Sequence, residues 1–263
     1  MALRQQPLKE ETMDATAGTA PYIKRFSLYR IIEHWAVAVI FVSLTATGFA
    51  QKYYDLALSQ WIVLHLGGID AVRLIHRISG LFLILALAQH ILAAISGVLF
   101  RKWDTSMIIT KCDFTDAITN LKYYVGMVEQ PARCGRYDYR EKFEYWGILT
   151  GSILMGITGI TLWFPALVTV VLPGEVIPIA KILHTNEALV LMLLVVVWHV
   201  YNSIFSPDVF PIDTVMFTGK ISKERMIREH PIEYEQLFGV TLLPDDDQPS
   251  SKSRFHYHLT GGE

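Results

Sequence analysis

Residues 78–100 read ISGLFLILALAQHILAAISGVLF, with no Asp, Glu, Lys or Arg and a single ionisable side chain, His90. About 20 apolar residues at about 1.5 Å rise cross a hydrocarbon core of about 30 Å, so this stretch is long enough to span a bilayer as a helix. Three further windows of that length lie on either side of it. Residues 146–168 (WGILTGSILMGITGITLWFPALV) are equally free of those four residue types, 184–205 (HTNEALVLMLLVVVWHVYNSIF) carry only Glu187, and 31–50 (IIEHWAVAVIFVSLTATGFA) open with Glu33 and His34. Four spanning helices are expected, and the fold class is an all-α integral membrane four-helix bundle. The average composition agrees: of 263 residues 52% are hydrophobic and 18% charged, against about 45–50% and about 25% in soluble chains. Residues 1–30, much of 101–145 and 206–263 are polar, so the apolar residues concentrate in the spans, which excludes an ordinary soluble α/β enzyme. A net charge of -2 gives no pointer to nucleic acid. Cys112 and Cys134 match no disulfide, zinc or covalent-haem spacing.

Orientation follows from Lys and Arg in the connections. Residues 1–30 hold five, 101–145 hold eight and the stretch from 206 holds six, whereas 51–73 hold Lys52 and Arg73 and 169–183 hold Lys181. Both termini and the middle connection are therefore expected in the cytoplasm, as in a multi-pass protein of the inner (cytoplasmic) membrane. The domain reading is a cytoplasmic segment 1–30, a transmembrane unit 31–205 and a cytoplasmic tail 206–263. The first span is not read as a cleavable signal, because a polar stretch precedes it and no small-residue cleavage site follows a short apolar core. Trp35, Tyr53, Tyr54, Trp61, Trp103, Tyr145, Trp146, Trp163 and Phe164 fall near expected helix ends, where amphipathic rings settle. Residues 59–68 (SQWIVLHLGG) are too short to span and read as an interfacial segment on the outer side.

Ionisable groups at membrane depth are costly and mark function. Five of nine histidines lie in or at the ends of spans: His34, His76, His90, His184 and His199. At about 100° per residue, the step from His76 to His90 leaves the two about 40° apart and that from His184 to His199 about 60° apart. Each pair shares a helix face, and at about 1.5 Å rise its members are separated by about 21–22 Å. With the second and fourth spans parallel, His76 and His184 lie at the outer depth and His90 and His199 at the inner one, with His34 opening the first span there. Imidazoles facing one another at two depths are what two stacked bis-histidine haems require, with the flat macrocycles packed between the helices. Small residues, Ser79, Gly80, Ala86, Ala93, Ala94 and Gly97 on the second span and Gly151, Gly156 and Gly159 on the third, permit close approach. His65, His230, His256 and His258 read as solvated or merely structural.

The ordered motifs resemble the di-haem cytochrome b membrane subunits of respiratory formate dehydrogenases and nickel-iron hydrogenases. The carriers are RIIEHW (Arg30 to Trp35), VRLIHRISG (Val72 to Gly80), GRYDYREKFEYW (Gly135 to Trp146), and the ILH (Ile182 to His184) and WHVY (Trp198 to Tyr201) of the fourth span. The resemblance covers about residues 22 to 210. It implies two b haems, an outer one on His76 and His184 and an inner one on His34 and His199. Geometry alone offers His90 as the partner of His199; under the resemblance His90 either hydrogen-bonds beside the inner haem or replaces His34. The resemblance also implies a quinone site, menaquinone or ubiquinone, at Tyr137, Asp138 and His199. Asp138 and Glu141 stand where the family has Asn and Gln, and the step from His184 to His199 is one residue longer than expected. Asp138 is read either as a proton acceptor for quinone chemistry or as a solvated partner of Arg136 or Arg140. Arg73 and Arg77 flank His76 and read either as partners of haem propionates or as snorkelling anchors.

The functional expectation is an electron-transfer subunit of a quinone-linked oxidoreductase. It would relay electrons between a quinone on the cytoplasmic side and a redox partner on the outer side, an iron-sulfur or multihaem subunit working with a catalytic subunit. Two other classes stay open: a non-redox anchor or proton-relay transporter, and a stand-alone transmembrane b-type reductase. In the tail, ISKERMIREH reads as a short amphipathic helix, and the PDDDQPSSKS run after Leu243 as disordered.

Overall fold

The computed structural model describes residues 21–101, 103–207 and 209–242. Four long helices carry the apolar runs: α1 (Leu28–Lys52), α3 (Ile69–Arg101), α5 (Tyr139–Trp163) and α7 (Val176–Leu193), the last continued by π-helical turns over Leu194–His199 and Tyr201–Phe205. At about 1.5 Å per residue, the 33 residues of α3 extend well beyond the hydrocarbon core. Its first turns and its last therefore lie at the two interfaces. α5 starts at Tyr139, ahead of the expected 146, because Asp138 caps it: the Asp138 side chain accepts from Glu141 N at 2.8 Å, and Glu141 returns the bond to Asp138 N at 2.9 Å. Two glycines with positive φ, Gly67 and Gly68, make the reversal between the short helix α2 (Ala57–His65) and α3. α2 overlaps the stretch 59–68 read as interfacial, beginning at Ala57 and ending at His65.

α1 packs chiefly on α3, and α5 chiefly on α7, with α3 and α5 joining the two pairs. Lipid-exposed Val39, Val42, Leu81, Phe82 and Leu85 face outward, so association rests on close packing rather than on removing apolar surface from water. Small residues provide that closeness. A methyl group on Gly151 would lie 2.7 Å from Leu191 and 2.8 Å from Glu187 Oε1, and one on Gly156 would lie 3.3 Å from Ile84.

On the side of the middle connection the chain builds a polar cap. α4 (Lys111–Tyr124) docks on α5 through Lys142 Nζ, which donates to Asp113 Oδ1 at 2.7 Å with both side chains nearly buried. β1 (Tyr22–Lys24) pairs antiparallel with β2 (Lys220–Ser222), Ile23 opposite Ile221. α6 (Pro165–Val168) follows α5 on the other side; α8 (Val215–Thr218), α9 (Lys223–Glu229) and α10 (Pro231–Phe238) complete the cap. Val215, Ile221, Met226 and Tyr234 form its core. The expected amphipathic segment 221–230 thus divides into two strand residues, Ile221 and Ser222, and the helix α9, with His230 at its end. His230 departs from the expectation of a solvated residue: it is 6% exposed and its Nδ1 bonds Gly135 O at 2.9 Å. The connection leading into α5 lies against it through that carbonyl. His256, His258 and the PDDDQPSSKS run lie outside the described residues.

Candidate functional site

His76 on α3 and His184 on α7 come together with ring centroids 6.2 Å apart. The helix beside each ring supports it in the same way. Thr47 on α1 donates its hydroxyl to Ser43 O at 2.6 Å and lies 2.9 Å from His76 Nδ1. Thr158 on α5 donates to Leu154 O at 2.7 Å and lies 2.9 Å from His184 Nδ1. A hydroxyl has one proton, and here the backbone carbonyl takes it, so each threonine oxygen accepts Nδ1–H from its imidazole. Both rings are thereby held as the tautomer whose Nε2 keeps a free lone pair. The residue after each threonine is glycine, and a Cβ on Gly48 or Gly159 would meet Cε1 of His76 or His184 at 3.3 Å. Each ring lies directly on a neighbouring backbone, and this twin Thr-Gly support is visible in the sequence at 47–48 and 158–159.

At the other depth His34 on α1 and His199 in the π-helical turn have centroids 6.0 Å apart. Glu144 on α5 accepts from His199 Nδ1, which again leaves Nε2 free. His34 Nδ1 is buried without a hydrogen-bond partner. His90 differs from these. Its Nδ1 donates to Glu33 Oε1 at 2.9 Å and its Nε2 accepts from Tyr145 O–H at 2.9 Å, so neither nitrogen is free. Arg30 neutralises Glu33 at 2.6 Å. The structure brings His34, His199 and Glu144 into one group, and sets Glu33, His90 and Tyr145 beside it as another.

The prokaryotic cytochrome b561 family model matches residues 4–111. The cytochrome b556(fdo) subunit of Escherichia coli K12 formate dehydrogenase is 23% identical over 222 residues, covering 83% of this chain and 95% of that protein. The cytochrome b556(Fdn) subunit of the nitrate-inducible formate dehydrogenase of the same strain is 21% identical over 204 residues, 78% of this chain and 86% of that protein. The resemblance to the formate dehydrogenase cytochrome b subunits holds. The four helices are long and apolar enough to cross a membrane, and the group that the names of these relatives imply for them is haem b.

The residues present fit that group. At metal–nitrogen bonds of about 2 Å, two imidazoles on opposite sides of one ion have centroids about 6 Å apart, close to both observed separations. Among the described residues no three His, Cys, Asp or Glu side chains converge on one point. A metal between two imidazoles here needs its other ligands from elsewhere, as a macrocycle supplies them.

The remaining candidates serve the cap or the edges of the bundle. Asp138 is 7% exposed, and besides capping α5 its Oδ2 accepts from Arg140 Nε at 2.8 Å. The guanidinium groups of Arg25 and Arg136 lie 5.8 and 5.5 Å from the centroid of the Tyr137 ring. Those two arginines clamp Glu233 of α10, at 2.9 and 2.6 Å. Arg77 lies 5.9 Å over Trp163. Arg73, more than half exposed, is 3.3 Å from Asp70 and lines a groove of about 770 Å³ with Gln51, Tyr54 and Gln60. His65 is exposed and bonds Trp61 O of its own helix. Burial, reinforced by Asp138 and Asp116, pushes the Cys134 thiol up to about 12, far from a reactive thiolate.

Sequence reasoning missed Glu33, Glu144 and Tyr145. Glu33 and Glu144 were detectable as carboxylates inside helices next to His34 and in the turn before Trp146, but which histidine each meets depends on helix rotation.

Proposed function

We propose that this chain is a di-haem cytochrome b subunit of a respiratory oxidoreductase. It would carry electrons across the membrane between a quinone on the cytoplasmic side and an electron-transfer partner, iron-sulfur or multihaem, on the outer side. The observation that supports it best is the pair of imidazole pairs, 6.2 and 6.0 Å between centroids, at two depths of one bundle. His76 and His184 would hold the outer haem, and His34 and His199 the inner one. Haem supplies reversible one-electron chemistry when bound; the protein's part is to present free Nε2 atoms, exclude water and set the surroundings. His90 is assigned a hydrogen-bonding role, since both its nitrogens are engaged. The step of about 22 Å from His184 to His199 along one helix supports a position of the two pairs near opposite interfaces. The Lys- and Arg-rich cap favours a cytoplasmic location for both termini.

Quinone chemistry takes protons as well as electrons, and on this reading it occurs at the inner pair. Tyr137 and Asp138 are engaged in the cap junction, so they would shape that region rather than exchange protons. The test is a dithionite-reduced minus oxidised spectrum with haem quantitation on the purified protein. Two b haems per chain are expected, with one lost in His76→Ala and one in His34→Ala. A protein without a b-type α-band would overturn the reading, and loss of the inner haem from His90→Ala but not from His34→Ala would overturn the ligand assignment.

A further inference from the structure

The two imidazole pairs are supported by different chemistry. At the outer pair both Nδ1–H groups go to neutral threonine hydroxyls, Thr47 and Thr158. At the inner pair the Nδ1–H of His199 goes to a carboxylate, Glu144, whose side chain is 15% exposed. The other carboxylate of that region, Glu33, is neutralised by Arg30 at 2.6 Å. Among the described residues, the ion-pair partner of Glu144 is His199 alone.

A carboxylate accepting the distal N–H of a metal-bound imidazole raises the ligand's basicity. A more basic ligand stabilises the ferric state, which carries one more positive charge than the ferrous. An unneutralised negative charge in a partly buried site acts in the same direction, since a low dielectric strengthens its attraction to the oxidised iron. Hydroxyl acceptors carry no net charge and lack that effect. The bundle therefore has a built-in difference between its two depths, and it resides in one side chain.

We propose that Glu144 is a positioning residue that sets the inner haem's potential: it orients His199 and lowers that potential relative to a hydroxyl-supported pair. The proposal rests on the di-haem reading. It is tested by potentiometric titration of the reduced-minus-oxidised spectrum of the purified protein, wild type against Glu144→Gln and Glu144→Ala. Gln keeps an acceptor oxygen at the same reach and removes the charge; Ala removes both. In each variant one of the two potentials is expected to rise by a factor of at least ten in the one-electron equilibrium, about 59 mV, with the other unmoved. Glu144→Asp, which restores the charge, is expected to keep the low value. Two haems with both potentials unchanged overturns the proposal, as does an equal shift of both. Loss of inner haem from Glu144→Gln with an unshifted potential in Glu144→Ala overturns it as well. Wild-type protein without haem would refute the di-haem reading itself, an outcome seen before any variant is compared.

Discussion

Replacing Thr158 with valine keeps the side chain's shape and removes one oxygen. In the structure that oxygen is 2.9 Å from His184 Nδ1, in a residue 4% exposed, so no water replaces it readily. Two responses are open to the imidazole. It can keep the proton on Nδ1, leaving a buried donor unpaired at about 1–3 kcal/mol. Otherwise it can move the proton to Nε2, which removes the lone pair a metal needs. Either response weakens binding at His184, by about 10–100-fold, the usual cost of losing the partner of a metal-bound histidine. The helix itself should be unharmed, because a threonine bonding back to a carbonyl, here Leu154 O at 2.7 Å, slightly destabilises a helix rather than supporting it. The assay is haem retention during dilution or transfer to an apo-acceptor, followed by absorbance, with far-ultraviolet circular dichroism as the control for helicity. Thr158→Ser should behave as wild type, and Thr47→Val should weaken the same haem as Thr158→Val. Normal haem affinity in Thr158→Val would refute the reasoning, because the tautomer of His184 would then not depend on this hydroxyl.

Two further outcomes concern the cap. Gly219 has φ +70°, and a Cβ there would lie 2.7 Å from Phe26 O, so Gly219→Ala adds a clash to the roughly 1–2 kcal/mol of a left-handed alanine; limited proteolysis within residues 215–242 should accelerate while the spectrum of the spans is kept, and unchanged proteolysis would count against the cap's geometry. Burial, with the Arg25 charge beside it, holds the His230 imidazole down to about 4 from an ordinary 6.5. The docked cap then binds fewer protons than the free one, and its stability is full above pH 6.5 and falls as pH drops towards 4. At about 1.4 kcal/mol per pH unit the whole swing is about 3 kcal/mol, so hydrogen exchange in 215–242 should rise over that window in wild type and stay flat in His230→Gln.

Which parts of this arrangement can be read from sequence depends on whether they lie along one helix or between two. The spans, and the depth at which each histidine sits, follow from a single run of residues and a fixed rise. The four histidines now facing one another in pairs are those named from such runs and from the motif resemblance. The Glu33–His90–Tyr145 and His199–Glu144 contacts depend on how α1, α3, α5 and α7 are rotated about their own axes, which no local pattern records. Asp138 shows the opposite case. Its spacing to Glu141 is that of a capping box, a signal carried by four consecutive residues and therefore legible. His230 was illegible for a topological reason, since it bonds Gly135 O, far away in the chain.

The fourth helix joins these two kinds of information. On a regular α-helix the step from His184 to His199 overshoots by about 60°, which keeps the two on one broad face without aligning them. The π-helical turn over Leu194–His199 has i→i+5 bonds and takes up an extra residue per turn, so each residue there advances by less than 100° and the overshoot shrinks. The residue that makes the step one longer than expected is absorbed where the helix reaches the inner depth, and His199 arrives beside both His34 and Glu144. A straight α-helix of the same sequence would keep His184 against Thr158 and carry His199 off Glu144. The spacing in the sequence and the geometry in the structure are therefore compatible only through the π-helical segment, and the inner site depends on it while the outer one does not.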